Sequence, residues 1–278
     1  MDETQKLLRV TADDLGLSEA VDDGIFEAYD RGIVTHTSVL ATGAAFDHAA
    51  RGLHARPGLR AGLHASLSDL PPLAGDFSRS RFFRNGRFPS SIHVAAAIAV
   101  GELAAAAVEA EIEAQAARLA GAGIEMEHLD GHQHIHVLPI VALAAVRVCL
   151  RRGIGRVRVP IESAAPPAPP VTPIITAAKA VALALASAPL GVQILWAGLK
   201  TTGAFHGAWC AGHGNVPRFS HVLSHLRPGA NELVCHPGRV SAGAPPSGFD
   251  WEDELDALTS PEPIGLVRDL GIRLDRVE

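Results

Sequence analysis

Two carboxylates stand side by side in "TADDLGLS" (residues 11–18), directly after the short apolar run "LLRV" (residues 7–10). Adjacent like charges repel, and a strand end has no structural need of them. Further along, "HLDGHQHIH" carries His128, Asp130, His132, His134 and His136 at alternate positions. "LRAGLH" ends in His64, "RVRVPIE" carries Arg158 and Glu162, and "NELVCHPG" brings in His236. One carboxylate with a couple of imidazoles is a donor set for a divalent metal that leaves a position open for water. A second carboxylate nearby, outside the coordination, can accept a proton from that water. The pair therefore predicts a division of labour, with one Asp a ligand and the other a general base. The alternative is that the pair caps the next helix, a task for which Ser18 already suffices.

The elements that must position these groups are legible as alternation. Strand-like apolar runs fall at 7–12, 59–64, 124–130, 156–161 and 231–236. Helical patterns fall between several of them, at 18–32 with Ser18 as N-cap and Gly32 as stop, at 100–123, and at 139–153 with Pro139 at the start. Strand–helix alternation predicts an α/β fold with a mostly parallel sheet, open or closed into a barrel. In a parallel barrel, active sites form at the C-terminal strand ends, where each of the five runs delivers its polar groups. If "HLDGHQHIH" is extended, all its imidazoles and its carboxylate share one face. If a turn begins at Gly131, only some of them reach the site, and His134 and His136 take local roles.

Composition narrows the function classes. The 278 residues are 47% hydrophobic and 19% charged, enough for a large core and too apolar for disorder. A net charge of −6, with "RSRFFRNGR" (79–87) the nearest thing to a basic run, excludes a nucleic-acid binder. Cys149, Cys210 and Cys235 are odd in number and far apart, against a disulfide framework or thiolate site. The acidic start "MDETQKLLRV" is no secretory signal, so the expected location is cytoplasmic. Residues 180–199 are uncharged and long enough to span a bilayer, but Pro189 and Gly191 interrupt them. They predict a buried helix ending near Pro189 and then a strand "VQILW", with no stable membrane insertion. Residues 164–173, "AAPPAPPVTP", are a Pro-rich loop. Residues 66–93, rich in Arg and Phe, are expected to form a flap over the site or a subunit contact, as in a homodimer.

In order and separation, "TADDLGLS", "GLH", "HLDGHQHIH" and "CHPG" resemble the YdjC-like carbohydrate deacetylases, near the hopanoid-associated and chitooligosaccharide deacetylase branch. "GIVTHTSVLATGAAFDHA" (32–49) and "LTSPE" (258–262) extend the resemblance over nearly the whole chain, read as a single domain 1–278. It implies a distorted, TIM-like (β/α) barrel, one divalent metal ion (magnesium or zinc foremost), and removal of acetyl from an N-acetylated sugar or glycolipid. It further implies Asp14, His64 and His132 as metal ligands, Asp13 as base and His236 as acid on the leaving amine, with Arg158 tethering Asp13. His128, Asp130 and His134 are left to support the ligands or meet substrate. Leu15 and Ala65 depart from the family's usual residues, and Ala65 widens the range of substrates that would fit. Two rivals are another metal-dependent hydrolase on the same barrel, which tends to place an HxH pair on its first strand, and a non-catalytic glycan- or lipid-binding member, which has no need of Asp13.

Overall fold

The computed structural model describes residues 5–74, 77, 80–83, 85–163, 174–210, 212–240 and 248–276. The chain begins β1 (Lys6–Leu15), α1 (Glu19–Arg31), β2 (His36–Val39), α2 (Phe46–His54) and β3 (Arg60–Ala65). Two helices follow, α3 (Ser91–Ala99) and α4 (Ala105–Gly121), then β4 (Met126–Gly131) and a 3-10 turn (His132–Val137). Next come α5 (Pro139–Arg152), β5 (Arg156–Val157), α6 (Ile174–Trp196), β6 (Lys200–Thr201) and β7 (Ala204–His206). The chain ends with α7 (Val216–Ser224), β8 (Gly229–Cys235), α8 (Trp251–Thr259), α9 (Pro261–Asp269) and β9 (Arg273–Leu274).

The strands form one sheet in the order β6-β5-β4-β3-β2-β1-β8-β7, with β9 also on β1. Its ladders are parallel. The sheet curls until its two ends approach. Past the end of β5, Glu162 makes a parallel bridge with Phe205 of β7, and Ser163 N–H donates to the Phe205 carbonyl at 2.8 Å. The result is the expected TIM-like barrel in a single domain, distorted because, among the described residues, one seam rests on so little pairing.

Alternation along the strands separates two environments. On β1, Leu8, Val10 and Ala12 are fully buried against the helices, while Arg9, Thr11 and Asp13 line the other face. The inner lining also takes His36 and Ser38 from β2, His64 from β3, His128 and Asp130 from β4 and Glu232 from β8, all buried. The lumen is thus a packed polar layer inside an apolar shell. Gly62 belongs to it because a Cβ there would lie 2.4 Å from the His128 ring.

Local signals are met at several elements. Ser18 caps α1 by accepting the Val21 N–H at 3.3 Å, and Pro139 opens α5. The helix expected over 100–123 starts at Ala105 and is preceded by the separate α3. The expected stop near Pro189 and strand "VQILW" do not occur, since α6 runs through both to Trp196. Pro189 sits on the exposed side of α6, one turn after Leu185, itself 73% exposed. The proline removes the N–H that would have bonded the Leu185 carbonyl, and it does so on the exposed side of the helix. Among the described residues no helix is long and apolar enough to cross a membrane. The Pro-rich segment 164–173 lies outside the described residues.

Within 66–93, Phe77, Phe83 and Phe88 pack on one another with ring centroids 4.7–6.0 Å apart, and Phe77 and Phe88 are buried. Arg81 pairs with Glu102 at 2.7 Å. Three of the phenylalanines of this segment are thus spent on packing against one another, and Arg81 on a pair with the turn after α3.

Candidate metal centre and active site

β1 ends in a bulge, with its register to β2 shifting between Ala12 and Leu15. Asp14 there takes a left-handed backbone, φ 71°, which is uncommon for a residue other than glycine. On a regular strand Asp13 and Asp14 would point to opposite faces. The left-handed kink brings both carboxylates to the His64 imidazole, with Nε2 4.0 Å from Asp13 Oδ2 and 3.3 Å from Asp14 Oδ1. Three backbone contacts hold the turn: Leu17 N–H to Asp14 O at 3.0 Å, Leu40 N–H to Leu15 O at 2.8 Å, and Ala45 N–H to Gly16 O at 2.9 Å.

A side-chain contact completes that clamp. The Asp22 carboxylate, buried at the first turn of α1, accepts the Gly16 N–H at 2.6 Å and lies 3.1 Å from His48 Nδ1. Burial pushes its pKa up to about 6, against Gly16 and His48, which pull it down. Unfolded, the group titrates near 3.9. Its contribution to stability is therefore full below about pH 4 and lost as pH rises through about 6. Asp22→Asn is expected to remove this dependence. Urea midpoints between about pH 4 and pH 7 should show the variant gaining on wild type as pH rises; a constant difference would contradict the assignment.

β3 and β4 pair His64 with Asp130 in register, so their side chains lie side by side on the inner face. His64 Nδ1–H donates to Asp130 Oδ1 at 2.6 Å, which aims Nε2 at the aspartate pair. Burial alone would push the His64 pKa down, but Asp130 and Asp13 outweigh it and lift it to about 10. Beyond Gly131 the chain turns sharply. Gln133 and His134 both take positive φ, 53° and 56°, and His132 swings back so that Nδ1 lies 2.8 Å from Asp14 Oδ1. Burial would raise the Asp14 pKa, yet His132 and His64 hold it well below the carboxylate range.

Of the two expectations for "HLDGHQHIH", the turn at Gly131 is the one observed. His128 and Asp130 stay on β4, with Ser38 Oγ 2.7 Å from Asp130 Oδ2 and 3.1 Å from His128 Nε2. His136 is buried beneath the turn and its Nε2–H donates to the Arg158 carbonyl at 3.0 Å. Burial drives the His136 pKa down to about 4 and that of His134 well below its usual value, so both rings are neutral. His134 lies against Phe205, centroids 5.8 Å apart. Gln133 reaches outward to Asp69 at 2.8 Å, tying the segment 66–93 to this turn.

Arg158 follows β5 and is fully buried. Its NH1 and NH2 donate to Asp13 Oδ2 and Oδ1 at 2.7 and 2.9 Å, a two-point grip on the carboxylate. NH2 also meets Asp130 Oδ2 at 2.7 Å and Glu232 Oε1 at 3.0 Å. His236 follows β8; its backbone N–H donates to buried Glu254, and its ring lies 4.8 Å from that of Phe249. Glu162, at the end of the same run as Arg158, instead accepts the Gly207 and Ala208 N–H groups at 3.0 and 2.8 Å.

Two overlapping sets of donor atoms therefore converge, Asp14–His64–His132 and Asp13–His64–Asp130, each with its atoms within 4.8 Å of one another. The charge balance is also informative. Asp13, Asp130 and Glu232 are buried together around the Arg158 guanidinium, while Asp14 leans on the His64 and His132 imidazoles. Buried carboxylates without matching positive charge are costly. A divalent ion fits the donor atoms, and in the cluster it would supply the positive charge that a proton on His64 otherwise brings to these carboxylates.

Residues 7–268 match the family described as YdjC-like protein. The chain belongs to this family. A YdjC-like relative from Homo sapiens, named carbohydrate deacetylase, is 34% identical over 278 residues, covering 91% of this chain and 84% of its own. Another, from Enterobacter sp. (strain 638), is named chitooligosaccharide deacetylase and is 27% identical, covering 97% of both chains. Among solved structures, a putative cellobiose-phosphate cleavage protein from Enterococcus faecalis V583 superposes with a TM-score of 0.69 at 21% identity, covering 98% of this chain and 97% of that one. That likeness shows that the YdjC-like barrel is shared over its full length. Ser38, Glu232 and Glu254 were not anticipated from the sequence. The first two follow from strand alternation, which puts Ser38 on the same face as His36 on β2 and Glu232 on the inner face of β8.

Proposed function

We propose that this protein is a metal-dependent hydrolase that removes the acetyl group from an N-acetylated sugar, free or lipid-linked, in the cytoplasm. The observation that carries the proposal is the split at the aspartate pair. Asp14 joins His64 and His132 in a ligand-like cluster, while Asp13 beside it is held by Arg158. The names carried by the YdjC-like relatives support the choice of an acetylated carbohydrate.

Asp14 Oδ1, His64 Nε2 and His132 Nδ1 are the atoms that would hold a divalent ion, magnesium or zinc. Such an ion supplies Lewis acidity, polarising the amide carbonyl and acidifying water. Asp13 acts as general base, taking the proton of the water that adds to the carbonyl carbon. Arg158 keeps both Asp13 oxygens aimed during that transfer. His236, as a protonated imidazole, gives its proton to the amine nitrogen as the C–N bond breaks, leaving acetate and a free amino sugar. Asp130 holds His64 in the tautomer that presents Nε2 to the cluster. Asp69, on the stretch that follows β3, is tied to the His132 turn through Gln133 and so borders the site.

The test is an acetate-release screen of the metal-reconstituted protein on N-acetylglucosamine oligomers, nucleotide sugars and lipid-linked sugars. Acetate release with stoichiometric appearance of free amine is the expected outcome. Release of phosphate from a sugar phosphate, or tight sugar binding without turnover, would overturn it in favour of another hydrolase or of a binding protein.

A further inference from the structure

Glu232 lies on β8 with no exposed surface, level with Arg9 of β1 and below the aspartate pair. Its Oε1 accepts from Arg158 twice, from Nε at 3.2 Å and NH2 at 3.0 Å, and from Thr11 Oγ1 at 3.0 Å. Its Oε2 accepts from Thr202 Oγ1. Contacts from β1, β6–β7 and the end of β5 therefore converge on one buried carboxylate. A guanidinium has two useful edges. Here Glu232 takes the Nε side and Asp13 takes the NH1–NH2 edge. Asp130 is a third claimant, on NH2. Without Glu232, the guanidinium is free to swing towards Asp130 and away from Asp13.

We propose that Glu232 is a positioning residue that fixes the plane of Arg158 so that two donors face Asp13. The inference rests on the reading of Asp13 as the base. The bland alternative is that Glu232 merely neutralises a buried arginine. The two differ in whether an effect on turnover passes through Asp13.

Glu232→Gln keeps the volume and removes the charge that faces Nε. Turnover number should fall about 10–100-fold, the range found when supporting partners of a site are removed. KM should stay within about twofold and metal stoichiometry should not change. Glu232→Asp should recover part of the loss. In an Asp13→Asn background the same Glu232→Gln change should add less than about twofold, because its target is already gone. A neutralising role would instead cost the same in both backgrounds. Should Glu232→Gln fail to fold, Thr202→Val, which frees only Oε2, should show the same pattern to a smaller degree.

A readout independent of turnover is the hydrogen exchange of the Arg158 guanidinium protons followed by NMR. They should exchange faster in the variant, and unchanged protection would overturn the proposal. If the wild-type protein released no acetate from any sugar, the functional reading would fail, while the exchange measurement would still show whether Glu232 holds the Arg158 guanidinium in place.

Discussion

Asp13→Asn should retain its metal and lose about 10²–10⁴-fold in turnover, the usual cost of removing a general base. Asn has nearly the shape of Asp but cannot take a proton from water. The substitution also turns an amide NH2 or a single oxygen towards Arg158, where two oxygens now accept at 2.7 and 2.9 Å. Arg158 keeps Asp130 and Glu232 as counter-charges, so the variant should fold. Asp14→Asn should behave oppositely, weakening metal binding, because an amide oxygen is the poorer ligand for a divalent ion. Elemental analysis and acetate release at one pH separate the two. If Asp13→Asn arrives without metal while Asp14→Asn keeps it, the roles are reversed.

His64→Ala and His132→Ala should each weaken metal binding by more than about 100-fold, exceeding the 10–100-fold typical of outer partners. Each removes one of three atoms in the cluster with Asp14. His134→Ala should leave metal content unchanged, since its ring turns to Phe205 rather than to the aspartates. Calorimetric titration of metal-stripped proteins is the measurement. Full occupancy in His132→Ala would show that the turn after β4 delivers a different ligand.

Much of this site is written in residue order. Asp13, Asp14, His64, Asp130, His132 and His236 all stand at or beyond the C-terminal ends of apolar runs, with Arg158 inside one and just past its strand, and the barrel gathers those ends. The kink that lets two neighbouring aspartates share one site is not legible, because nothing in "ADDLG" requires φ 71° at Asp14. β2 escaped notice because "HTSV" turns His36 and Ser38 into a polar lumen and so lacks an apolar run. "VQILW" looks like a strand because β-branched and aromatic residues follow a proline, yet tertiary packing keeps it helical, with Leu190 and Ile194 buried. Glu232 reads as a stray acid until the register places it under Arg158.

The circumference of the barrel is unevenly fastened. β1 and β8 share seven paired positions, whereas β5 and β7 meet at the bridge between Glu162 and Phe205. The free energy of local opening follows the backbone bonds and buried contacts that must be broken together. Among the described residues, the β5–β7 side is therefore the part of the ring joined by the fewest paired strand positions, helped by the Gly207 and Ala208 N–H groups on Glu162. Phe205 also touches His134, so that side borders the reaction chamber. Opening of that seam would widen the space beside His134 while leaving β1 and β3, which carry Asp14 and His64, in place.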